Sequence, residues 1–415
     1  MFKSPFLQEA EARGFVFQCT DPEGLDAALL AGPVGGYIGF DLTADSLHVG
    51  HMIQIMMLRL LQKHGHRPVA LLGGGTTRIG DPSFREEARQ LLDDARIEQN
   101  RQGILRNISG MLRFDDAPGG AMLANNADWL DRLSYIELLR EVGVHFSINR
   151  MLSFDSVRTR LEREQGLTFL EFNYSILQSY DFRELNRRHG VSLQMGGSDQ
   201  WGNIVSGVDL VRRTDARQVF GLTAPLLSTA SGQKMGKTAK GAVWLSAEKL
   251  PVFDYWQFWR NAEDADVGRF LKLFTDLPVE ECERLGALAG AEINDAKKVL
   301  ATEATALCHG REAAEAAAET ARLTFEQGAL VQAALPVRPV GAAALSAGIP
   351  AFRLFGESGL VASNGEARRL IRGGGARLND QPVTDENRVV SDADLIDGAL
   401  KLSLGRKQHL LLRPE

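Results

Sequence analysis

The chain has 415 residues, of which 44% are hydrophobic and 24% charged, and its net charge at pH 7 is -6. That length accommodates about two to four domains with a sizeable core, and the composition is that of an ordinary soluble globular protein. The acidic balance excludes a wholly basic nucleic-acid binder, so any RNA or DNA contact must come from local patches.

No stretch approaches about 18 consecutive apolar residues, which predicts no transmembrane helix and no membrane partner. The N-terminal "MFKSPFLQEAEARGFVFQ" lacks the apolar core of a signal peptide, and acidic residues interrupt it. Cys19, Cys282 and Cys308 lie far apart, with no C-x-x-C pair. That spacing argues against a disulfide framework or a cysteine zinc site and for a reduced, cytoplasmic setting.

In chain order, "GGYIGF" reads as a strand and "SLHVGHMIQIMMLRLLQKHG" as a helix closed by Gly65, with Asp45 or Ser46 as its N-cap. "RPVALLGGG" is a near-continuous apolar run ending in glycines, the pattern of a strand buried on both faces of a parallel sheet. A longer helical region follows in "REEARQLLDDARIEQNRQGILRNISGML". "VSLQMGGSDQWGNIVSGVDLVRR" then repeats the order of strand, glycine turn and helix. The fold class is therefore α/β, with a Rossmann-like parallel sheet. Ligands of such sheets sit beyond the carboxyl ends of the strands, where the turns Gly73–Gly75 and Gly196–Asp199 fall. From about Pro251 the pattern becomes helical. "GALVQAALPVRPVGAAALSAGIP" looks like a linker, and a compact tail follows it.

His48 and His51 stand three residues apart where the first strand pattern gives way to a helix. Two histidines on one helical face can simply cap local polar groups. A metal site needs a third ligand, and none clusters nearby. The helix terminus offers another use: its free N–H groups and dipole favour a phosphate, and imidazoles there can donate to phosphoryl oxygens as charge builds up. Gly50 between them would let a flat base approach the backbone. Tyr174, Gln178 and Asp181 fall at i, i+4 and i+7, one polar stripe on a helix. A solvated face would also explain the stripe, but Phe172, Ile176 and Leu177 around it suggest a packed setting, where buried polar groups need partners.

"HVGH" at 48–51 resembles the HIGH motif of class I aminoacyl-tRNA synthetases, and "KMGKT" at 234–238 resembles their second motif, KMSKS, on a mobile loop. "YIGFDLTADSLHVGH", "LEFNYSILQSYDF" and "GGSDQWGN" are similar to the tyrosyl subfamily of bacteria, and the resemblance runs along most of the chain. It implies a tyrosine–tRNA ligase that converts L-tyrosine and ATP to tyrosyl-adenylate and then charges the tRNA for tyrosine. The ATP arrives with Mg2+, and no permanently bound cofactor or zinc is expected. An RNA-binding protein that kept the fold and lost catalysis is the alternative.

The resemblance also assigns residues. Tyr37 and Asp181 would bind the phenolic hydroxyl, Asp81, Tyr174 and Gln178 the ammonium group, and Gln200 the carboxylate or α-phosphate. Asp41 and Asp199 would lie near the ligand's polar and ribose groups, with Gly39, Gly50, Gly196 and Gly197 giving close backbone approach to the nucleotide, although glycine turns that end parallel strands account for Gly39, Gly196 and Gly197 equally well. Thr43, His48 and His51 would face the phosphates from one side and Lys234, Lys237 and Thr238 from the loop, with Arg85 and Arg89 reaching the pyrophosphate. Three departures stand out: Leu42 replaces a usual proline, the loop motif reads KMGKT and not KMSKS, and Phe84 is bulky where a small residue is common.

The implied organisation is a catalytic domain over 1–228 with a dimerisation insertion near 126–168, a motif loop over 229–250 and an α-helical anticodon-arm domain over 251–330. A linker over 331–348 then leads to a small α+β module over 349–415. In the tail, Ser363 or Asn364 can cap a helix carrying Arg368, Arg369 and Arg372, and Arg377 follows on a hairpin-like strand. This local basic patch suits RNA phosphates, and the segment resembles a small RNA-binding module shared with a ribosomal small-subunit protein. The family is a homodimer.

Overall fold

The structure is a computed structural model that describes residues 2–81, 92–163, 166–232, 235–238, 241–325, 335–405 and 408–415. By contacts the chain divides into two units, one of residues 1–250 and 261–308, the other of residues 251–260 and 309–415. No described helix is long and apolar enough to cross a membrane.

The first unit is built on a six-stranded sheet. Its strands are β1 (Gln18–Cys19), β2 (Gly35–Asp41), β3 (Arg67–Gly73), β4 (Met122–Asn125), β5 (Val191–Gly197) and β6 (Phe220–Ala224), in the order β1-β6-β5-β2-β3-β4. All neighbours are parallel except the edge strand β1, which runs antiparallel to β6. The apolar run of β3 is buried from Pro68 to Gly73, as a strand covered on both faces must be. From β2 the chain winds outward through β3 and β4, then returns to build β5 and β6 on the other side of β2. This reversal leaves a crevice at the carboxyl ends of β2 and β5.

Helix Val49–Lys63 begins differently from the sequence expectation. Its N-cap is His48 itself, in extended conformation with φ -124° and ψ 169°, and not Asp45 or Ser46. Those two residues serve another purpose. The Asn107 side chain accepts from the Leu47 N–H at 2.8 Å and pairs with the Ser46 hydroxyl at 3.1 Å. Helix Asp94–Ser109 also approaches so closely that a Cβ on Gly103 would fall 1.8 Å from the Asp45 carbonyl oxygen. Residues 45–47 are thus clamped, and capping passes to the imidazole. The helical region expected over 85–112 is described as Asp94–Ser109, capped by the Asp93 side chain on the Arg96 N–H.

Leu42 is fully buried, and its N–H donates to the Thr77 hydroxyl at 2.7 Å. A proline there could not form that bond. The described residues of the region 126–168 form short helices joined by turns. Trp129 and Met151 are buried, Phe146 and Phe154 pack against the same core, and Tyr135 is exposed.

In the second unit, helix Val252–Arg260 packs on helix Arg311–Phe325. The C-terminal part is a five-stranded sheet in the order Gln381–Pro382, Ala376–Leu378, Leu400–Leu404, Gln408–Pro414 and Val337–Val340. Helices Ala351–Glu357 and Asn364–Arg372 share its apolar core. The stretch 331–348, expected to be a linker, carries the edge strand Val337–Val340 and helix Ala342–Ala347. The strand pairs in parallel with Gln408–Pro414, some 70 residues on. Pro339 is tolerated because an edge strand needs only one row of hydrogen bonds.

Candidate active site

The crevice opens into a cavity of about 510 Å³ walled by the ends of β2, β3 and β5 and by helix Tyr174–His189. Six residues expected to hold the amino acid line it: Tyr37, Asp81, Tyr174, Gln178, Asp181 and Gln200. So do Gly39, Asp41, Thr43, His48, His51 and Asp199 from the set expected around the nucleotide, together with Gly196. A Cβ on Gly39 would meet nothing within 4 Å, so its missing side chain widens the cavity and relieves no clash.

Tyr37 and Asp181 lie at the floor, only 1% and 2% exposed. The Tyr37 hydroxyl has no hydrogen-bond partner among the described residues. Asp181 accepts from the Trp129 indole N–H at 2.7 Å and from the Asn126 amide at 2.9 Å. Burial pushes its carboxyl up to about 7, and those two donors only partly oppose the shift. Burial and the nearby carboxyl raise the Tyr37 phenol well above its usual range.

At the other end, the Tyr174 hydroxyl donates to Asp41 at 3.3 Å and the Thr76 hydroxyl donates to the same carboxylate at 3.0 Å. The Gln200 amide donates to Asp81 at 2.9 Å and to Asp199 at 3.2 Å, while its oxygen accepts from Asn203 at 3.1 Å. Burial raises the Asp199 carboxyl, with the Asp81 charge adding to the effect.

His48 and His51 stack with ring centroids 4.0 Å apart. His48 Nδ1 accepts from the Gly50 N–H at 3.0 Å, and His51 Nδ1 accepts from the His48 N–H at 3.3 Å. An accepting Nδ1 places the ring proton on Nε2. The pair therefore caps the helix with one nitrogen each and keeps Nε2–H as a donor. Gly50 is not part of the cavity wall. A Cβ there would sit 2.7 Å from His48 Cε1, so the glycine admits the capping ring.

The family described as tRNA synthetases class I (W and Y) matches residues 31–326. A Gluconobacter oxydans protein named tyrosine–tRNA ligase is 70% identical over the full length of both chains. A Rhodospirillum rubrum protein of the same name is 63% identical, covering 99% of this chain and 98% of its own. The chain belongs to the class I tyrosyl-tRNA synthetases. Its fold also matches the crystal structure of a C-terminally truncated Aspergillus nidulans mitochondrial tyrosyl-tRNA synthetase, with 30% identity and a TM-score of 0.70 over 78% of this chain and 95% of that one.

Within this synthetase fold, Gly197 lies outside the cavity wall, at the turn that carries Asp199. The second motif is described in part. The backbone of Lys237–Thr238 forms a short strand paired with Gly241–Ala242. Lys234, Arg85 and Arg89, and the side chains of Lys237 and Thr238, lie outside the described residues. Among the residues of the wall and its backing that the sequence reading missed are Thr76, Asn126, Trp129, Gln194 and Trp244. Gln194 is buried, its carbonyl oxygen has no partner among the described residues, and it is the register neighbour of Tyr37 across β5 and β2. Alternation on a strand could have placed it beside Tyr37; no local pattern marks the other four.

In the second unit, Ser363 caps helix Asn364–Arg372 through the Glu366 N–H. Arg372 makes a two-pronged pair with Glu386 at 2.6 and 2.8 Å. Arg368 lies 3.9 Å from the same carboxylate and 3.9 Å over the Phe352 ring. Arg377 Nη1 donates to the Asp380 carbonyl at 3.0 Å, and Arg369 is exposed. Glu386 therefore offsets part of the basic patch, from a loop outside the helix.

The Asp181 shift has a spectroscopic consequence. The Trp129 indole N–H resonance should titrate with a midpoint near pH 7 in the ligand-free protein and become flat in Asp181→Asn. Because the folded pKa is raised, this carboxyl contributes stability that is fully present below its unfolded pKa of about 4 and is lost as pH rises through 7. A wild-type indole resonance that does not move between pH 5.5 and 8.5 would contradict the assignment.

Proposed function

We infer that the chain is a tyrosine–tRNA ligase, and that the buried pair Tyr37 and Asp181 is what selects tyrosine. The observation that carries this reading is the Tyr37 hydroxyl, buried at the cavity floor and without a partner among the described residues. An unsatisfied buried hydroxyl is costly. A ligand phenol satisfies it and donates its own proton to Asp181. Phenylalanine leaves both groups unmatched, and tyrosyl-tRNA synthetases are themselves the standard example of such discrimination.

Toward the cavity mouth, Asp81, Tyr174 and Gln178 hold the ammonium group and Gln200 the carboxylate or α-phosphate. Asp41 and Asp199 bind ribose and polar groups beside Gly39 and Gly196. The carboxylate of tyrosine attacks the α-phosphate of ATP, and pyrophosphate leaves. The terminal ribose hydroxyl of the tRNA then displaces AMP. No side chain forms a covalent bond in the first step, so positioning and charge stabilisation carry it. Thr43 and the Nε2–H donors of His48 and His51 meet the phosphates from one side. Lys234, Lys237, Thr238, Arg85 and Arg89 supply charge from the others. Magnesium enters with ATP, bound mainly by phosphate and water.

Two partners follow. Nine of the seventeen exposed large apolar side chains among the described residues fall between 135 and 170, including Val144 and Phe169 at 70% and 67% exposure. Such a concentration supports pairing with a second copy. Sedimentation should give a two-chain species, and a single-chain species at micromolar concentration would refute it. The tail arginines, with the helical region before them, bind the tRNA backbone. Arg368→Glu with Arg369→Glu should weaken tRNA binding and leave tyrosyl-adenylate formation unchanged; equal tRNA affinity would refute that role.

ATP–pyrophosphate exchange with each amino acid supplied alone and no tRNA tests the main reading. Exchange is expected with tyrosine alone, and Asp181→Asn should lose selectivity over phenylalanine by at least about tenfold. Exchange with another amino acid would overturn the pocket, and none from folded protein would favour the RNA-binding alternative.

A further inference from the structure

The segment that follows the second motif is built onto the first. The Val49 N–H donates to the Val243 carbonyl at 2.9 Å, and the Leu245 N–H donates to the Leu47 carbonyl at 2.9 Å. These bonds bracket an antiparallel bridge between His48 and Trp244. In such a non-hydrogen-bonded pair the two side chains stand close on one face. The Trp244 ring accordingly meets the His48 ring edge to face, with centroids 6.2 Å apart at 63°.

Trp244 is itself held. Lys249 Nζ sits 5.0 Å over its ring and pairs at 2.7 Å with Asp45. Asp45 is the residue whose carbonyl abuts Gly103, and the Ser246 N–H donates to the Ser46 hydroxyl at 3.2 Å. The Val243 N–H reaches back to the Gly236 carbonyl at 2.9 Å. Gly236, inside the second motif, has φ +87°, and a Cβ on it would fall 2.9 Å from the Gly50 nitrogen. A closed circuit thus runs from Asp45 to Lys249, Trp244 and His48, beside the point where the motif loop meets the helix.

We propose that Trp244, fixed by the Lys249–Asp45 pair, is a positioning residue for His48 in adenylate formation. The indole backs the imidazole so that Nδ1 stays on the Gly50 N–H and Nε2–H stays directed at the phosphates. Without it the ring is free to leave its cap, and the donor is lost at the moment charge develops. Tyrosine binds at the far end of the cavity and is unaffected. The proposal rests on the reading of His48 as a phosphate donor, and the experiment separates the two.

Two quantities are measured for Trp244→Ala, Trp244→Phe, Lys249→Met and Lys249→Arg, each in the wild-type and the His48→Ala background. One is equilibrium tyrosine binding without ATP; the other is the single-turnover rate of tyrosyl-adenylate formation at saturating substrates. Trp244→Ala should slow adenylate formation by about tenfold to a hundredfold, with tyrosine affinity within about twofold. Trp244→Phe and Lys249→Arg should restore most of the rate. In the His48→Ala background, Trp244→Ala should cost less than about twofold, because contacts acting through one group are not additive. The same loss in both backgrounds would overturn the proposal, since Trp244 would then act on the nucleotide directly or on the fold. If Trp244→Ala does not fold, Trp244→Phe and Lys249→Met decide by the same criterion. A wild-type rate for His48→Ala would remove the histidine reading and the proposal together. A slow His48→Ala with additive Trp244 effects would remove the proposal alone.

Discussion

Asn126 ties the two ends of the cavity together. Its amide donates to Asp181 at 2.9 Å and to the Thr76 hydroxyl at 3.0 Å, while its oxygen accepts from the Gly75 N–H at 2.8 Å. Thr76 passes the connection to Asp41, and Asp41 to Tyr174. One uninterrupted chain of hydrogen bonds therefore links the carboxyl at the cavity floor to the carboxylate near its mouth, joining the end of β2, the turn after β3, the segment after β4 and helix Tyr174–His189. Every capacity of the Asn126 amide that this chain uses is directed at a buried partner, so these wall groups are satisfied within the protein before ligand arrives. The polar groups left over at the floor are the Tyr37 hydroxyl and the Gln194 carbonyl. A site with a satisfied wall and unsatisfied floor recognises a ligand by what that ligand can supply.

The histidine motif works by a different principle. A helix start normally takes a small oxygen-bearing side chain as its cap. Here the cap is an imidazole, which consumes Nδ1 and fixes Nε2 as a donor in the same act. The glycine between the histidines is the steric condition for that arrangement, because the ring occupies the space a Cβ would need. Clamping of residues 45–47 by Asn107 and by the approach of Gly103 denies Asp45 and Ser46 the capping role.

Much of this was legible from the chain alone, for identifiable reasons. The parallel sheet follows from the apolar runs ending in glycine turns, and the polar stripe at Tyr174, Gln178 and Asp181 follows from helical spacing; all three residues face the cavity. What local pattern cannot carry is pairing across long separations. Trp129 reaches Asp181 across 52 residues and Asn126 reaches it across 55. Glu386 meets Arg372 from 14 residues away, and strand Val337–Val340 finds its partner near the C-terminus. The cap on helix Val49–Lys63 was misplaced because Asp45 and Ser46 have the right chemistry and are occupied by tertiary contacts.

The claim that Asp181 receives the ligand's phenol as a carboxylate is tested most directly by calorimetry of tyrosine binding at pH 7 in buffers of different ionisation enthalpy. With the free carboxyl near 7 and the complex holding it ionised, binding should release about half a proton per tyrosine, and Asp181→Asn should release none. A binding heat independent of buffer in the wild-type protein would contradict the account.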